Sequence, residues 1–209
     1  PSALDYTMQT TAPWISPFLV SIDILRDPKR HNMLKDEPYR QILRKAARGE
    51  IVALLGAPNC RTWTILLHLP LPDGTPGHPL RGRHEPDCWG LHDLTNTELI
   101  KVDSDSLLLL RMLAIYTMAK ECGHNPAFLL EHPADPRYHS QEPTANLCSS
   151  IWATKALQTF ASQYDLTKTT FPQSPLGKLD GPKWTTALHA HMPKIRRLGQ
   201  LNPTHSEEG

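Results

Sequence analysis

Short apolar runs separated by polar stretches are the main pattern along this chain. Each run is four to seven residues long, which suits a strand and is too short for a helix. The run Ile51–Gly56 (IVALLG) begins with two β-branched residues and stays apolar throughout, which is typical of a fully buried strand. Five runs predict strands: Phe18–Ile24, Ile51–Gly56, Ala127–Leu130, Thr167–Phe171 and Trp184–Leu188.

Helical spacing of apolar residues fills the segments between these runs. A helix is predicted over 36–49, with Asp36 as its N-cap and Gly49 closing it. The segment 104–121 predicts a second helix that is apolar on nearly all sides, which indicates burial against a sheet face. A third helix is predicted to open at residues 149–150, with a stripe of aromatic side chains along it.

This order of elements predicts an α/β fold. We expect a Rossmann-like, mostly parallel sheet flanked by helices and ending in an antiparallel hairpin. Residues 1–17 are predicted to form an extended arm. Residues 18–190 are predicted to form one domain with a long loop at 68–96, and residues 191–209 a C-terminal tail.

The composition matches a globular protein with a sizeable core. The 209 residues are 39% hydrophobic and 21% charged, and the net charge of +1 gives no overall attraction to nucleic acid. Four cysteines without a pairing pattern, and no secretory signal, indicate reduced thiols in an intracellular compartment. The most apolar segment, Leu107–Leu110, is interrupted too soon to predict a membrane span.

The predicted loop 68–96 is rich in proline, glycine, histidine and arginine. A structureless loop of this length is usually functional or disordered. His84, Cys88 and His92, with Cys60, contain the residue types of a zinc site. Their spacing differs from that of zinc knuckles and fingers, and there is no Cys-x-x-Cys pair, so we expect no metal.

Three polar residues follow predicted strands at their carboxyl ends: Asp23, Cys60 and Glu131. The carboxyl ends of parallel strands meet at one sheet edge, which is where open α/β sheets bind ligands. Arg61 beside Cys60 is expected to favour the thiolate. The simpler interpretations are a small buried cysteine and a solvated strand-end aspartate. The shared edge favours Cys60 as a nucleophile.

A thiolate and a carboxylic acid at one edge suit covalent attack on an electron-poor ring. The thiolate adds to carbon 6 of a pyrimidine while the carboxyl group hydrogen-bonds or protonates ring nitrogen 3, which makes carbon 5 nucleophilic. A thiol hydrolase with a Cys60–His dyad is an alternative, since the chain has 11 histidines. The residue types alone do not choose between these reactions.

The chain resembles DNA cytosine-5 methyltransferases in two motifs. GAPNC is similar to their Gly-Pro-Pro-Cys motif, with Pro58 and Cys60 matching, and LLEHPADP is similar to their Glu-Asn-Val motif, with Glu131 matching. A longer ordered set over about 18–190 resembles methyltransferase-like domains of dinoflagellate retroelement polyproteins: SIDI, GAPNCRTWT, HPLRG, GLHDLT, LLEHPADP, SIWAT, FPQSPLG and GPKWTTAL.

The resemblance implies a role for each matched position. Cys60 is the implied nucleophile and Glu131 the implied acid on ring nitrogen 3. Asp23 would bind the ribose hydroxyls of the cofactor S-adenosylmethionine, and Pro58 would line the same cofactor site. DNA is the implied partner, which places the expected location in the nucleus. The expected nucleic-acid contacts are Arg61, Arg81, Arg83, Gln173 and Lys183.

The chain also departs from the family pattern. Gln173 occupies the place of a Gln-x-Arg-x-Arg motif, but Ser174, Pro175 and Leu176 follow it instead of the arginines. The first strand and the glycine-rich cofactor turn have no counterpart in residues 1–17. Two functions therefore stay open: a diverged methyltransferase-like domain, and a non-catalytic module of the same fold that binds nucleic acid or protein. Flanking polyprotein domains or a partner chain are further expected partners.

Overall fold

The computed structural model describes residues 20–176 and 183–201. The predicted arm 1–17, the absence of a glycine-rich turn there, and the end of the predicted tail lie outside the described residues. The chain divides into two compact units, with the boundary between Gln41 and Ile42. The sheet, the longest helix and the candidate site all belong to the second unit.

The second unit contains a mixed four-stranded sheet. Its order is β1-β2-β4-β3, in which β1 pairs with β2 in parallel and β4 is antiparallel to both β2 and β3. The fold is therefore α/β, and the predicted antiparallel hairpin of β3 and β4 is confirmed. Only one adjacent pair is parallel, yet β1, β2 and β3 all point the same way. The strands are β1 (Ala53–Gly56), β2 (Ala127–Pro133), β3 (Thr167–Pro172) and β4 (Trp184–Ala190).

The strand predicted at Ile51–Gly56 exists, but its predicted burial is wrong. β1 is an edge strand of the described sheet, and Val52 just before it is 79% exposed. A Cβ at Gly56 would lie 2.7 Å from the sulfur of Met112 on the neighbouring helix, so a larger residue there would require the flexible Met112 side chain to move. The apolar run therefore predicts correctly that a strand forms, but it does not predict whether that strand lies at the centre or the edge of the sheet.

The predicted strand Phe18–Ile24 is not formed by its described residues. Residues 20–24 have no strand pairing, and Val20 is 61% exposed. Asp23 instead organises a turn: its carboxylate accepts a hydrogen bond from the Leu25 amide at 2.9 Å. A short aspartate side chain competes well for local backbone donors, which favours turns over strands.

The described residues contain three α-helices: α1 (Asp36–Ala47), α2 (Asn96–Glu121) and α3 (Lys155–Gln163). The prediction of α1 is confirmed, with Gly49 at a φ of 74° just beyond its end. Helix α2 starts eight residues before the predicted Ser104, because Thr95 and Glu98 form a reciprocal capping box. Helix α3 begins after the N-cap Thr154, preceded by a short 3-10 turn.

Helices α2 and α3 pack on the same face of the sheet. The ring of Phe128 on β2 lies 4.5 Å from the ring of Tyr116 on α2 and 5.7 Å from that of Phe160 on α3. Strand alternation directs Leu130 and His132 to this helical face and Glu131 to the opposite face. The buried core consists of Trp63, Leu109, Leu113, Tyr116, Phe128, Leu130, Ile151, Trp152, Leu157, Phe160 and Leu188.

Two segments predicted to be irregular are ordered. Leu80 and Cys88 within the predicted loop 68–96 are buried, and a 3-10 turn forms at Asp87–Trp89. A 3-10 helix at Pro193–Gln200 in the predicted tail covers the sheet face opposite α2 and α3. A Cβ at its Gly199 would lie 3.2 Å from Thr169 of β3. The predicted loop 68–96 thus consists mainly of turns and bends around one 3-10 turn with buried side chains, and part of the predicted tail forms a 3-10 helix.

Candidate functional site

One sheet edge collects the residues that carry the candidate chemistry. Strands β1, β2 and β3 share a direction, so the segments that follow them emerge at the same edge. Cys60 follows β1, Glu131 lies near the carboxyl end of β2, and Gln173 directly follows β3. Glu131 was expected after its strand, but it pairs within β2 opposite Ala187.

A hydrogen-bonded chain joins Glu131 to Gln173 through Thr185 of β4. The Gln173 amide donates to the Thr185 hydroxyl at 2.5 Å, and this hydroxyl donates to the Glu131 carboxylate at 3.1 Å. The Gln173 backbone N–H also donates to the Lys183 carbonyl at 2.8 Å, which brings the exposed Lys183 beside the group. These hydrogen bonds fix the orientation of the Glu131 carboxylate.

Thr185 was missed by the sequence analysis. It carries no catalytic signature, and its position depends on β4 lying between β2 and β3. The only available signal was its place in a Thr-Thr pair, where strand alternation sends the two hydroxyls to opposite faces.

The Cys60 thiol is half-buried and protonated at neutral pH. Burial raises the pKa of Cys60; its own backbone N–H opposes this, and the negative charges of Glu131 and Asp105 raise the pKa further. The predicted thiolate is wrong for the unliganded protein, because burial disfavours a charged sulfur and the two carboxylates add to this effect.

Arg61 faces Asp105 instead of stabilising a Cys60 thiolate. Its Nε lies 3.1 Å from the Asp105 carboxylate on α2, which also accepts a 2.8 Å hydrogen bond from the Thr62 hydroxyl. The Arg61 side chain remains 52% exposed. Asp105 was missed, although a carboxylate inside an otherwise apolar helix requires a partner and was a usable signal.

Arg81 and Arg83 are internal structural residues. Arg81 is 1% exposed, and its guanidinium donates to the Thr62 hydroxyl and to the carbonyls of Cys88 and Val102. Burial lowers the pKa of Arg81 to about 10. Both guanidinium groups donate their hydrogen bonds to buried acceptors, so their predicted role as nucleic-acid contacts is not compatible with this structure. Among the five predicted contacts, Arg61 and Lys183 are the exposed cations.

Arg83 forms a buried two-pronged ion pair with Asp135. Its two terminal nitrogens lie 3.0 and 2.7 Å from the carboxylate oxygens, and one of them also donates to the Cys148 carbonyl at 2.8 Å. Burial opposes the charge on Asp135, but hydrogen bonds from Arg83 and Arg137 hold its pKa below the usual value. This pair shapes the wall of a nearby cavity.

The described residues do not fit the predicted cofactor role. Asp23 was expected to hold ribose hydroxyls from the end of a strand, but its carboxylate accepts a backbone hydrogen bond inside a turn. Pro58 is half-buried in the turn after β1 and adds no polar group. Asp23 belongs to the first unit and Pro58 to the second, and neither shows by itself the polar contacts of a site for S-adenosylmethionine, so we derive no chemical step through this cofactor.

Two other chemistries find no support in the described part of the chain. Within it, no histidine hydrogen-bonds to Cys60, so the dyad of a thiol hydrolase is not formed. No group of three or more His, Cys, Asp or Glu side chains in residues 20–176 and 183–201 is placed to hold a metal ion. All four cysteines are free thiols.

His132, next to Glu131, is a buried titratable group that the sequence analysis did not assign. It is 2% exposed, and its Nε2 has no hydrogen-bond partner. Burial lowers the pKa of His132 to about 3; a backbone hydrogen bond at Pro133 opposes this shift, and the charge of Arg81 adds to it. His132 is therefore neutral at physiological pH and packs edge-on against Trp152.

Comparisons with known proteins do not assign this chain to a family. No family model, curated protein or solved structure matches this chain. No helix among the described residues is both long enough and apolar enough to cross a bilayer.

Proposed function

We propose that this chain is a diverged DNA cytosine-5 methyltransferase-like domain of the S-adenosylmethionine-dependent class. Cys60 is its nucleophile and Glu131 its ring-binding carboxyl group. The observation that supports this most directly is geometric: Cys60 follows β1 and Glu131 lies near the end of β2, so both lie at the edge where these two parallel strands end. Thr185 and Gln173 orient Glu131 at the edge where β1, β2 and β3 end.

The proposed chemistry begins with attack of the Cys60 sulfur on carbon 6 of a cytosine. The carbon–sulfur bond forms as the ring electron pair moves toward nitrogen 3, which takes a proton from the Glu131 carboxyl group. The thiol proton leaves to solvent. Carbon 5 then becomes nucleophilic enough to accept an electrophilic carbon. Because the ring must leave the base stack first, single-stranded or flipped cytosine is the reacting form.

The raised pKa of Cys60 sets a condition on this reaction. Burial, and after it the charges of Glu131 and Asp105, disfavour the thiolate, so Cys60 in the free protein is a thiol. A cytosine placed against Glu131 would take a proton-bearing carboxyl group as its partner, which removes one negative charge from the field at the sulfur. Substrate binding and thiol activation are therefore coupled in this proposal.

Covalent trapping tests the proposed nucleophile. A DNA oligonucleotide carrying 5-azacytosine has a more electron-poor carbon 6, so its adduct does not require a methyl donor. We expect a denaturation-resistant protein–DNA adduct, detected by intact mass, that maps to Cys60. Cys60→Ala should abolish the adduct, and Glu131→Gln should slow its formation by about 100-fold, the usual contribution of a general acid.

The exposed Cys122 supplies the matched control for this experiment. Its thiol is more accessible than that of Cys60 and lies at the end of α2. Cys122→Ala should leave trapping unchanged. An adduct that survives Cys60→Ala, or one that maps to Cys122, would contradict the assignment of Cys60.

A second candidate function is a non-catalytic module that binds nucleic acid or protein. It is favoured by the turn conformation of Asp23, which does not fit the cofactor role. Calorimetric titration with S-adenosylhomocysteine separates the two functions. Micromolar binding that disappears in Asp23→Ala would favour the methyltransferase and restore that aspartate as a ligand. Lack of binding at millimolar concentration would favour the module.

The partners belong to the same proposal. DNA would contact the exposed cations Arg61 and Lys183 beside the site. A protein acting on DNA would be nuclear, and the resemblance to polyprotein domains adds flanking domains or a partner chain as candidate partners.

A further inference from the structure

A cavity of about 340 Å³ opens on the helical face of β3 and β4, beyond the end of β2. Lys168, Thr170 and Thr186 form its sheet wall, while Arg83, Asp135 and the turn that follows Asp135 form another wall. The size suits a small polar group such as a phosphate together with part of the molecule that carries it.

The cavity is distinct from the Cys60–Glu131 site. Thr186 lines the cavity, whereas its neighbour Thr185 donates to Glu131, and adjacent residues of a strand face opposite sides of the sheet. The methyltransferase proposal does not use any residue of this cavity. What it binds is therefore a separate question.

Charge in the cavity is strongly unbalanced. Three cationic side chains line it, Arg83, Arg137 and Lys168, and Asp135 is its one carboxylate among the described residues. Asp135 is shared between Arg83, at 2.7 Å, and Arg137, at 3.2 Å. Lys168 is exposed at the rim and has no carboxylate partner in the described part of the chain. The cationic side chains therefore outnumber the carboxylate three to one, which favours an anionic ligand.

The buried ion pair keeps the cations in place. The side chain of Arg83 is 6% exposed, and its bidentate bond to Asp135 leaves Asp135 unable to move toward Lys168. Asp135 also accepts the backbone N–H of Arg137 and so caps the 3-10 turn at Pro136–Tyr138. The positive potential is therefore built into the fold, since it does not depend on flexible surface side chains alone.

Aromatic rings stand beside the cations. Tyr138 is 70% exposed, with the Arg137 guanidinium 5.1 Å from its ring, and His139 stacks on Trp184 at 4.4 Å between ring centroids. An exposed ring next to a cation is the arrangement that stacks on a nucleobase while the cation neutralises the adjoining phosphate. An isolated inorganic anion would make no use of Tyr138.

We infer that this cavity is a phosphate-binding site for a nucleotide, with Lys168 and Arg137 as the phosphate ligands and Tyr138 as the stacking surface. The phosphate comes from a free nucleotide or from the backbone of a nucleic acid. Thr170 and Thr186 lie at the cavity wall with their hydroxyls hydrogen-bonded to each other at 2.8 Å, which leaves one hydroxyl proton of the pair to donate to the same phosphate.

Titration of the full chain tests this site, with tryptophan fluorescence as the readout because Trp152 lines the cavity. The probes are deoxycytidine monophosphate and a single-stranded 12-nucleotide DNA, each at low salt. We expect Lys168→Gln and Arg137→Gln each to weaken binding by about five- to tenfold. Tyr138→Ala should weaken binding to a similar degree.

Lys101→Gln is the matched control, since Lys101 is an exposed lysine on α2 and does not line the cavity. Tight binding of the mononucleotide identifies a free nucleotide as the source, and binding of the oligonucleotide alone identifies a nucleic acid. Equal weakening by Lys101→Gln, unchanged binding in the three cavity variants, or no binding of either probe at millimolar concentration would overturn the inference. Trapping at Cys60 does not enter this assay, so the two proposals fail independently.

Discussion

Burial decides the protonation of the two titratable residues nearest the candidate site. Cys60 is charged when it loses its proton and His132 is charged when it gains one, and in both cases burial disfavours the charged form. The thiol stays protonated and the imidazole stays neutral. Both side chains are therefore uncharged at neutral pH, and Glu131 directly precedes His132 in β2.

His132 should make the protein acid-sensitive. Its pKa is about 3 in the folded state and ordinarily 6.5, so the unfolded chain binds the proton more readily. The stabilisation is complete above the ordinary value and is lost as pH falls toward the folded value. We expect the free energy of unfolding to fall by about 1.4 kcal/mol per pH unit between about pH 6 and pH 4.

Urea unfolding at several pH values measures this slope, and His132→Phe should flatten it. Exposed His92 supplies the control, because His92→Gln should keep the wild-type slope. Other histidines with lowered pKa values contribute to the slope of every variant, so the difference between proteins isolates His132. An unchanged slope in His132→Phe would mean that His132 is hydrated in solution.

At the scale of elements, pairing and packing determine what each segment does. The apolar sequence of β1 predicts a buried strand. In the described sheet, however, β1 pairs on one side only, and Leu55 is 38% exposed. Helix α2 was read as apolar all round, and Leu110 on its outer side is 42% exposed. Periodicity identifies an element correctly, but the number of neighbours that cover it depends on the rest of the fold.

The capping box of α2 is the clearest case of local control. The Thr95 hydroxyl accepts the Glu98 amide, and the Glu98 carboxylate accepts the Thr95 amide at 2.9 Å. This reciprocal pair was readable as Thr-x-x-Glu in the sequence and sets the start of the helix ahead of Ser104. The missed boundary shows that the apolar pattern alone begins later than the helix does.

At the scale of the molecule, the Arg83–Asp135 pair joins three distant parts of the chain. Arg83 belongs to the segment before α2, Asp135 follows β2, and the Cys148 carbonyl precedes α3. A buried charge that loses its partner is strongly destabilising. The pair therefore holds the wall of the cavity and the packing of these segments together.

Removing one partner should destabilise the protein substantially. Asp135→Asn leaves the buried Arg83 without a counter-charge, so we expect the free energy of unfolding to fall by about 3–5 kcal/mol. The melting temperature should fall by about 10 °C for a chain of this length. Thermal unfolding followed by circular dichroism measures the change.

The exposed Glu50 provides the comparison. It pairs with Arg48 and Lys45 at the surface, and Glu50→Gln should leave the melting temperature nearly unchanged. A double variant, Arg83→Met with Asp135→Leu, should recover much of the loss because no unpaired charge remains. Equal effects of Asp135→Asn and Glu50→Gln would show that the buried pair is no stronger than a surface pair.

The sequence alone determined the local features: the strand propensity of Ile51–Gly56, the hairpin of β3 and β4, helix α1 and the free cysteines. These depend on neighbouring residues, caps and turns, whose interactions span a few positions. The predicted Rossmann-like sheet reduces here to a mixed four-stranded sheet. The roles of Cys60 and Glu131 remain proposals that rest on the motifs and the shared edge.

The tertiary structure alone decided which polar groups meet and which are buried. Arg61 pairs with Asp105 instead of facing Cys60, and Thr185 connects Glu131 to Gln173 by hydrogen bonds. Arg81 and Arg83 are buried. These partners lie tens of residues apart, so no local pattern encodes them. Burial and long-range charge depend on the packing of the whole chain, and they set the protonation on which any reaction at this site depends.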